Sequence, residues 1–546
     1  MSDPNTTAIE QGLDASPLQY TPTESIPAIV QELRDSFASG SMKALATRKQ
    51  HLRRMLDGLR ASKRELLNAV LLDLGKSHSE TDLYEYSSVE FEIGQMIDNM
   101  DKWARPDRNA LTMVQPAFLL SHSEVRRDPL GAVVVLGAWN YPIRLALLPV
   151  VGALAAGNTV VLKPSELAPH TAVAIERMFD SCVDRSIARV VQGAVPETTL
   201  LLAQHFDHYF YTGGGTVGRI VARAAAEHLS GVTLELGGKS PAVVHADVED
   251  LSVAAYRIMW AKLANAGQTC VTVDYLLVHR SVKDRLVDLL KDAAIGMFGP
   301  SPAASSDYGR IVNARNWRRL KKALDSTEGT VIDVTDDEPS EQDRFFPPTI
   351  VDGVRATDSL MADELFGPIL PVVTFDTLDE ALELINKRDQ PLALYVFASK
   401  ASARHVLENT RSGTACVNDT MFHLASQSNP FGGVGPSGVG RYTGKYSFDT
   451  FSHLRHVLER PSWFPSPAID TVRGPPFSGP ENQWKLALGR RMVYPRTWTL
   501  SESIWGRLGT LIPLWRLLAI VPGFLVALLR ARPVMRQRKN GSGASK

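Results

Sequence analysis

The sequence has little cysteine. Cys182, Cys270 and Cys416 are the only three in 546 residues, too few and too scattered for a disulfide framework or a zinc cluster, and a reducing compartment is expected. It carries no net charge, with 59 Lys and Arg against 59 Asp and Glu, so no nucleic-acid-binding surface is indicated. Met1 to Tyr20 is polar and acidic, with neither a basic n-region nor an apolar h-region, which argues against a signal peptide. No internal repeat is visible. What is present is 44% hydrophobic and 22% charged residues, the balance of a soluble globular protein. The chain is too long for one core, so two or three domains are expected.

Residues 1–25, rich in Ser, Thr, Pro and Asp, read as a mobile tail. From Ile26 to Trp103 apolar residues recur at helical spacing, with Leu52, Met55, Leu56 and Leu59 on one stripe and Leu66, Leu67, Val70 and Leu71 on another. The pattern changes at Gly131. Short apolar strands, Ala132 to Leu136, Thr159 to Leu162, Ala188 to Val191 and His208 to Tyr211, then alternate with helices. That alternation predicts α/β architecture with a parallel, doubly wound sheet. After Val232 to Leu236 a second α/β unit follows, with strands at Tyr275 to His279, Thr349 to Val351, Ile369 to Phe375 and Leu394 to Ala398. Residues 299–345 read as charged loop. Asn429 to Gly444 holds six glycines and must be irregular, close-packed backbone.

Two stretches suggest chemistry. The loop Gly213-Gly214-Gly215-Thr216-Val217-Gly218 follows a strand and opens a helix, so its N–H groups can meet a phosphate. Glu235, about 20 residues on, fits the ribose-binding position of a dinucleotide fingerprint. Lys163 and Glu166, at the carboxyl end of another strand, compete for that ribose role. Asn265-Ala266-Gly267-Gln268-Thr269-Cys270 places a thiol at the end of a polar turn. There a substrate can reach it, and backbone N–H groups aimed at the sulfur would favour the thiolate. Each stretch alone has a bland alternative: a glycine-rich turn, a surface Lys–Glu pair, a buried cysteine.

Taken together, these motifs resemble the aldehyde dehydrogenase superfamily, and within it the class 3, fatty-aldehyde branch with its apocarotenal-oxidising relatives. The stretches carrying the resemblance are Trp139-Asn140-Tyr141-Pro142, Gly157 to Glu166, Thr212 to Gly218 and Leu234-Glu235-Leu236-Gly237-Gly238-Lys239. They continue through Gly267 to Cys270, Glu364-Leu365-Phe366-Gly367-Pro368, Pro430 to Gly435 and Ser447 to His453. The resemblance implies a Rossmann-like cofactor domain with its helical lead-in at 26–235, a catalytic domain at 236–445, and a dimerisation strand and extended tail at 446–500. It implies Cys270 as nucleophile, Glu235 as the base for water and Asn140 as oxyanion donor. It also implies NAD held by Lys163, Glu166, Gly213, Gly214, Gly218, Glu364 and Phe366, with NADP as an alternative, and a homodimer. No metal is implied. Gly214 and Gly215 depart from the family, whose members usually carry Ser, Asn or Thr there.

Residues 501–546 contain Leu508 to Leu529, an apolar run of 22 residues with one charge, Arg516. As a helix it is about 33 Å long, enough for a hydrocarbon core. It is expected to anchor the chain to the cytosolic face of an intracellular membrane, either spanning or lying in the interface. The reaction expected is oxidation of a lipophilic aldehyde, fatty or isoprenoid, to the acid. Two alternatives stand beside it: a CoA-acylating enzyme and an inactive membrane scaffold.

Overall fold

The structure, a computed structural model, describes residues 18–108, 121–460, 472 and 474–493. The apolar run 508–529 lies outside them. Among the described residues no helix is long and apolar enough to cross a membrane. Two compact units are distinguished, one containing Asp128–His453 with the described residues up to Ala104, the other Arg105–Arg127 with the described residues from Leu454 onward.

In the larger unit, helices Ile26–Ala38, Leu45–Ala61, Lys63–Leu74 and Ser87–Trp103 form the lead-in. Leu52, Met55, Leu59, Leu66, Leu67 and Val70 are buried as their spacing requires. Thr21 is already fixed, its N–H reaching the Gln192 carbonyl at 2.9 Å. Asp73, on the last turn of Lys63–Leu74, accepts the N–H groups of His170 and Thr171 at 3.2 and 2.9 Å. It thereby satisfies the start of helix Pro169–Cys182, which has no side-chain cap of its own.

The strands run in chain order: β1 (Asp107–Arg108), β2 (His122–Pro129), β3 (Ala132–Leu136), β4 (Thr159–Lys163), β5 (Ala188–Val190), β6 (His208–Gly213) and β7 (Gly231–Leu236). They continue with β8 (Pro241–Val244), β9 (Tyr275–His279), β10 (Thr330–Asp333), β11 (Thr349–Asp352), β12 (Ile369–Phe375), β13 (Ala393–Phe397), β14 (Thr414–Val417), β15 (Gly438–Val439) and β16 (Ser452–Glu459). One sheet has the order β15-β7-β6-β3-β4-β5, parallel except for β15. The chain leaves β3 toward β4 and later returns to β6 on its other side, so the order reverses between β3 and β6. Ligands of open α/β sheets bind beyond the carboxyl ends of such strands. A second sheet has the order β10-β11-β12-β9-β8-β13-β14, and β1, β2 and β16 form a third.

Residues 299–345 are not all loop. They hold helix Ala314–Asp325 and β10. That helix buries only Trp317 and Leu320, a stripe narrow enough for its five Arg and Lys residues to mask the period.

Candidate active site

The segment before Cys270 is bent in a way the sequence pattern alone does not specify. Asn265, Ala266 and Gly267 are all left-handed, at φ 52°, 50° and 76°, and all buried. Such backbone costs an L-residue about 1–2 kcal/mol, so the surroundings must hold it. The Asn265 N–H donates to Glu80 Oε1 at 2.7 Å, and Asn265 Nδ2 donates to the Asn140 carbonyl at 2.7 Å. Gln268 spends its amide on the Asn265 and Arg310 carbonyls and accepts the Val312 N–H, at 2.9–3.1 Å. Tyr141 and Thr269 hydroxyls meet at 2.7 Å. A Cβ on Gly267 would lie 2.2 Å from the Gly367 carbonyl oxygen. The turn is therefore pressed against the loop that carries Glu364 and Phe366.

Cys270 ends this turn half-buried. Asn140, at the carboxyl side of β3, is buried and donates one amide hydrogen to the Gln268 carbonyl at 3.0 Å. The second amide hydrogen remains for another acceptor. Glu235, on β7, is 3% exposed and neither carboxyl oxygen has a partner among the described residues. Its backbone is fixed opposite Thr212 on one side and Gly438 on the other. Glu364 lies over Gly237, where a Cβ would come within 2.1 Å of Oε2, and its Oε1 is buried without a partner. Phe366 takes the left-handed φ of 52°. Its ring meets Trp139 edge-on at 5.3 Å.

Beyond β6, Thr212 Oγ1 is buried with no partner. Gly213 cannot carry a side chain, since a Cβ would lie 2.2 Å from the Tyr211 hydroxyl. Gly214 faces open space, with nothing within 4 Å of a Cβ. Helix Gly215–Glu227 begins there without a side-chain cap. Gly218 packs that helix onto Leu236, 2.8 Å from a would-be Cβ. At the end of β4, buried Lys163 pairs with the half-exposed Glu166.

The sequence matches the aldehyde dehydrogenase family over residues 16–457. The chain belongs to that family. It is 41% identical to aldehyde dehydrogenase family 3 member A2 of Rattus norvegicus over 459 residues, which are 83% of this chain and 92% of the relative. It is also 41% identical to beta-apo-4'-carotenal oxygenase of Neurospora crassa over 452 residues, 83% and 84% of the two chains. The substrate-bound structure of Staphylococcus aureus AldH superposes with a TM-score of 0.80 at 36% identity, covering 85% of this chain and 99% of that one. The protein is thus an NAD(P)-dependent aldehyde dehydrogenase of the class 3 branch.

For an aldehyde dehydrogenase the residues fit a dinucleotide. A helix start without a side-chain cap, empty space over Gly214, and unpartnered oxygens on Thr212 and Glu364 all lie where bound phosphate and ribose hydroxyls would complete them.

The electrostatics run against one expectation. The Cys270 thiol is pushed up to about 12, first by burial and then by the nearby Glu364 and Glu235 carboxyls; its own N–H and Arg144 oppose this. Burial and these two carboxyls thus work against the thiolate that the sequence suggested. Burial lifts Glu235 well above the usual carboxyl range. Burial, followed by Asp274, lifts Glu364 to about 8. The site thus gathers three acids into one desolvated space, where burial disfavours the charged form of each.

Sequence reasoning passed over the support beneath this site. Lys76 and Glu85 form an ion pair with both side chains at 0% exposure. Lys76 Nζ sits 4.2 Å from the Tyr141 ring centroid, and Glu85 Oε2 accepts the Ile143 N–H at 2.9 Å. Nothing in the pattern of a charged helix shows that these charges point inward. The only local sign is Ser77, the cap at Glu80 N–H. Cys182 and Cys416 are half-buried and packed on apolar clusters.

Proposed function

We propose that this aldehyde dehydrogenase oxidises a lipophilic aldehyde to its carboxylate through a covalent intermediate on Cys270. Cys270 passes its proton to solvent water and attacks the aldehyde carbon as the thiolate, and the carbonyl π pair moves onto oxygen. The free amide hydrogen of Asn140 and the Cys270 N–H hold that oxyanion, a contribution worth about 10²–10³ in rate per donor. NAD or NADP, when bound, supplies the hydride acceptor. The thioester left on Cys270 is hydrolysed by a water whose proton Glu235 accepts. Burial makes Glu235 hard to ionise and correspondingly strong as a base once ionised.

In this reading Lys163 and Glu166 hold the adenosine ribose, and Gly213, Gly214 and Gly218 shape the pyrophosphate loop. Glu364 holds the second ribose and Phe366 packs beside the nicotinamide. Residues 26–235 serve the cofactor and 236–445 the aldehyde, with 446–500 in a homodimer and Leu508–Leu529 on a membrane. A lipophilic substrate, fatty or apocarotenoid, is supported by that apolar run and by the name of the Neurospora relative.

The observation that carries the mechanism is the buried, unpartnered Glu235 carboxyl close enough to raise the thiol of the half-buried Cys270. Cys270→Ala is expected to abolish NADH production, measured by absorbance over aldehydes of increasing length, while cofactor binding persists. Turnover surviving in that variant discards the assignment.

A further inference from the structure

Beside the reacting centre lies a cavity of about 290 Å³ whose wall includes Arg144, Thr414, His423, Asn429, Phe431 and Thr443. Arg144 lies close enough to lower the Cys270 pKa. Phe431 packs on Tyr442, ring centroids 5.8 Å apart, and the Tyr442 hydroxyl feels Glu235, Arg144 and Cys270 together.

The wall is half polar, which a purely hydrocarbon substrate does not require. Its one fixed positive charge is Arg144. Among the described residues the guanidinium reaches only two backbone carbonyls, Tyr84 at 3.4 Å and Leu424 at 3.3 Å, and no carboxylate. Three of its five N–H groups stay free. Two other titratable groups lie near it. Burial lowers His423 to about 4, leaving a neutral ring. Burial raises Glu92 to about 7, and its Oε1 is taken by the Gly444 N–H at 2.8 Å.

Arg144 is also placed where local energetics disfavour it. It stands in the first turn of helix Pro142–Ala156, the positive end of the helix dipole, where a cation is unfavourable by about 0.3–1 kcal/mol. A cation kept there, unpaired, in a cavity beside the nucleophile has the fork needed to take a carboxylate with two bonds.

We propose that Arg144 is a specificity residue that receives a carboxylate at the far end of the substrate, so that the site prefers ω-oxo carboxylic acids to plain alkanals of equal length. This rests on the aldehyde dehydrogenase reading of Cys270 and narrows its substrate class: an apolar chain with an aldehyde at one end and an anion at the other.

The test compares kcat/KM for ω-oxo acids of about 4 to 12 carbons with that for the n-alkanal of each length, in the full-length enzyme with NAD. A charge-assisted bond predicts a preference of about 10–100-fold at one or two lengths. Arg144→Gln should bring that ratio to about 1, Arg144→Lys should keep most of it, and raised salt should reduce it. Ser426→Asp, which sets a carboxylate on the exposed rim of the cavity, should lower the ratio as well and serves if Arg144→Gln does not fold. The proposal is overturned if alkanals match or exceed oxo acids at every length, or if the preference survives both Arg144→Gln and Ser426→Asp. If neither class is oxidised at all, the failure belongs to the Cys270 mechanism instead.

Discussion

Two glycine-bearing loops use glycine for opposite reasons. At Gly267 the backbone is left-handed and pressed to 2.2 Å, counted from a would-be Cβ, against the Gly367 carbonyl. At Gly214 φ is −76° and no atom lies within 4 Å of a would-be Cβ. The first glycine makes a rigid cradle for the proposed nucleophile, with nearly every polar group spent. The second leaves room, with helix N–H groups and the Thr212 hydroxyl unspent. Catalysis needs fixed geometry where bonds change and open capacity where a cofactor comes and goes.

The comparison breaks most sharply at Gly267. Gly267→Ala should cost about 4 kcal/mol or more, because the Gly367 carbonyl it meets is backbone and φ is left-handed. Thermal unfolding would show a large drop in Tm, with activity falling alongside. Asn140→Ala should leave the fold and cofactor affinity in place yet lower kcat by about 10²–10³, read by steady-state NADH absorbance.

A pH profile sharpens the electrostatic side. Glu364 near 8, and Glu235 and Cys270 raised as well, are acids whose working forms appear only as pH rises. The rate constant kcat/KM should therefore climb from pH 7 to 9, by up to about tenfold per unit. Stability should run the other way. These carboxyls bind protons more tightly folded than unfolded, so their contribution is lost from about 4.5 up through about 8. A flat activity profile over that window would contradict the account. The smallest effect belongs to Gly214→Ala: stability within about 0.5 kcal/mol of the parent, and KM for NAD raised only a few-fold because a methyl intrudes on the open space.

Much of the larger unit was legible because the buried strands are short apolar runs with clear punctuation. Ala132 to Leu136, Tyr275 to His279 and Ile369 to Phe375 are strands over the bounds their sequence suggests. Helix Ala314–Asp325 was hidden by its charge, and β14 by alternation too short to register. At the site, Cys270, Glu235 and Asn140 could be named from motifs, and the structure gathers them. What holds them could not. The left-handed bend at Asn265–Gly267 depends on Glu80 and Asn140, 185 and 125 residues away in sequence. The protonation of Cys270 depends on burial and on two carboxyls distant along the chain. Arg144, at a helix start and with no carboxylate partner among the described residues, looks in sequence like any surface arginine.

The most direct measurement is intact-mass and peptide-mass analysis of Glu235→Gln mixed with aldehyde and NAD. With the sulfur competent and the water-activating carboxylate gone, an acyl group should accumulate in stoichiometric amount on the peptide that contains Cys270. An unmodified Cys270, or acylation at Cys182 or Cys416 in its place, would contradict the mechanism.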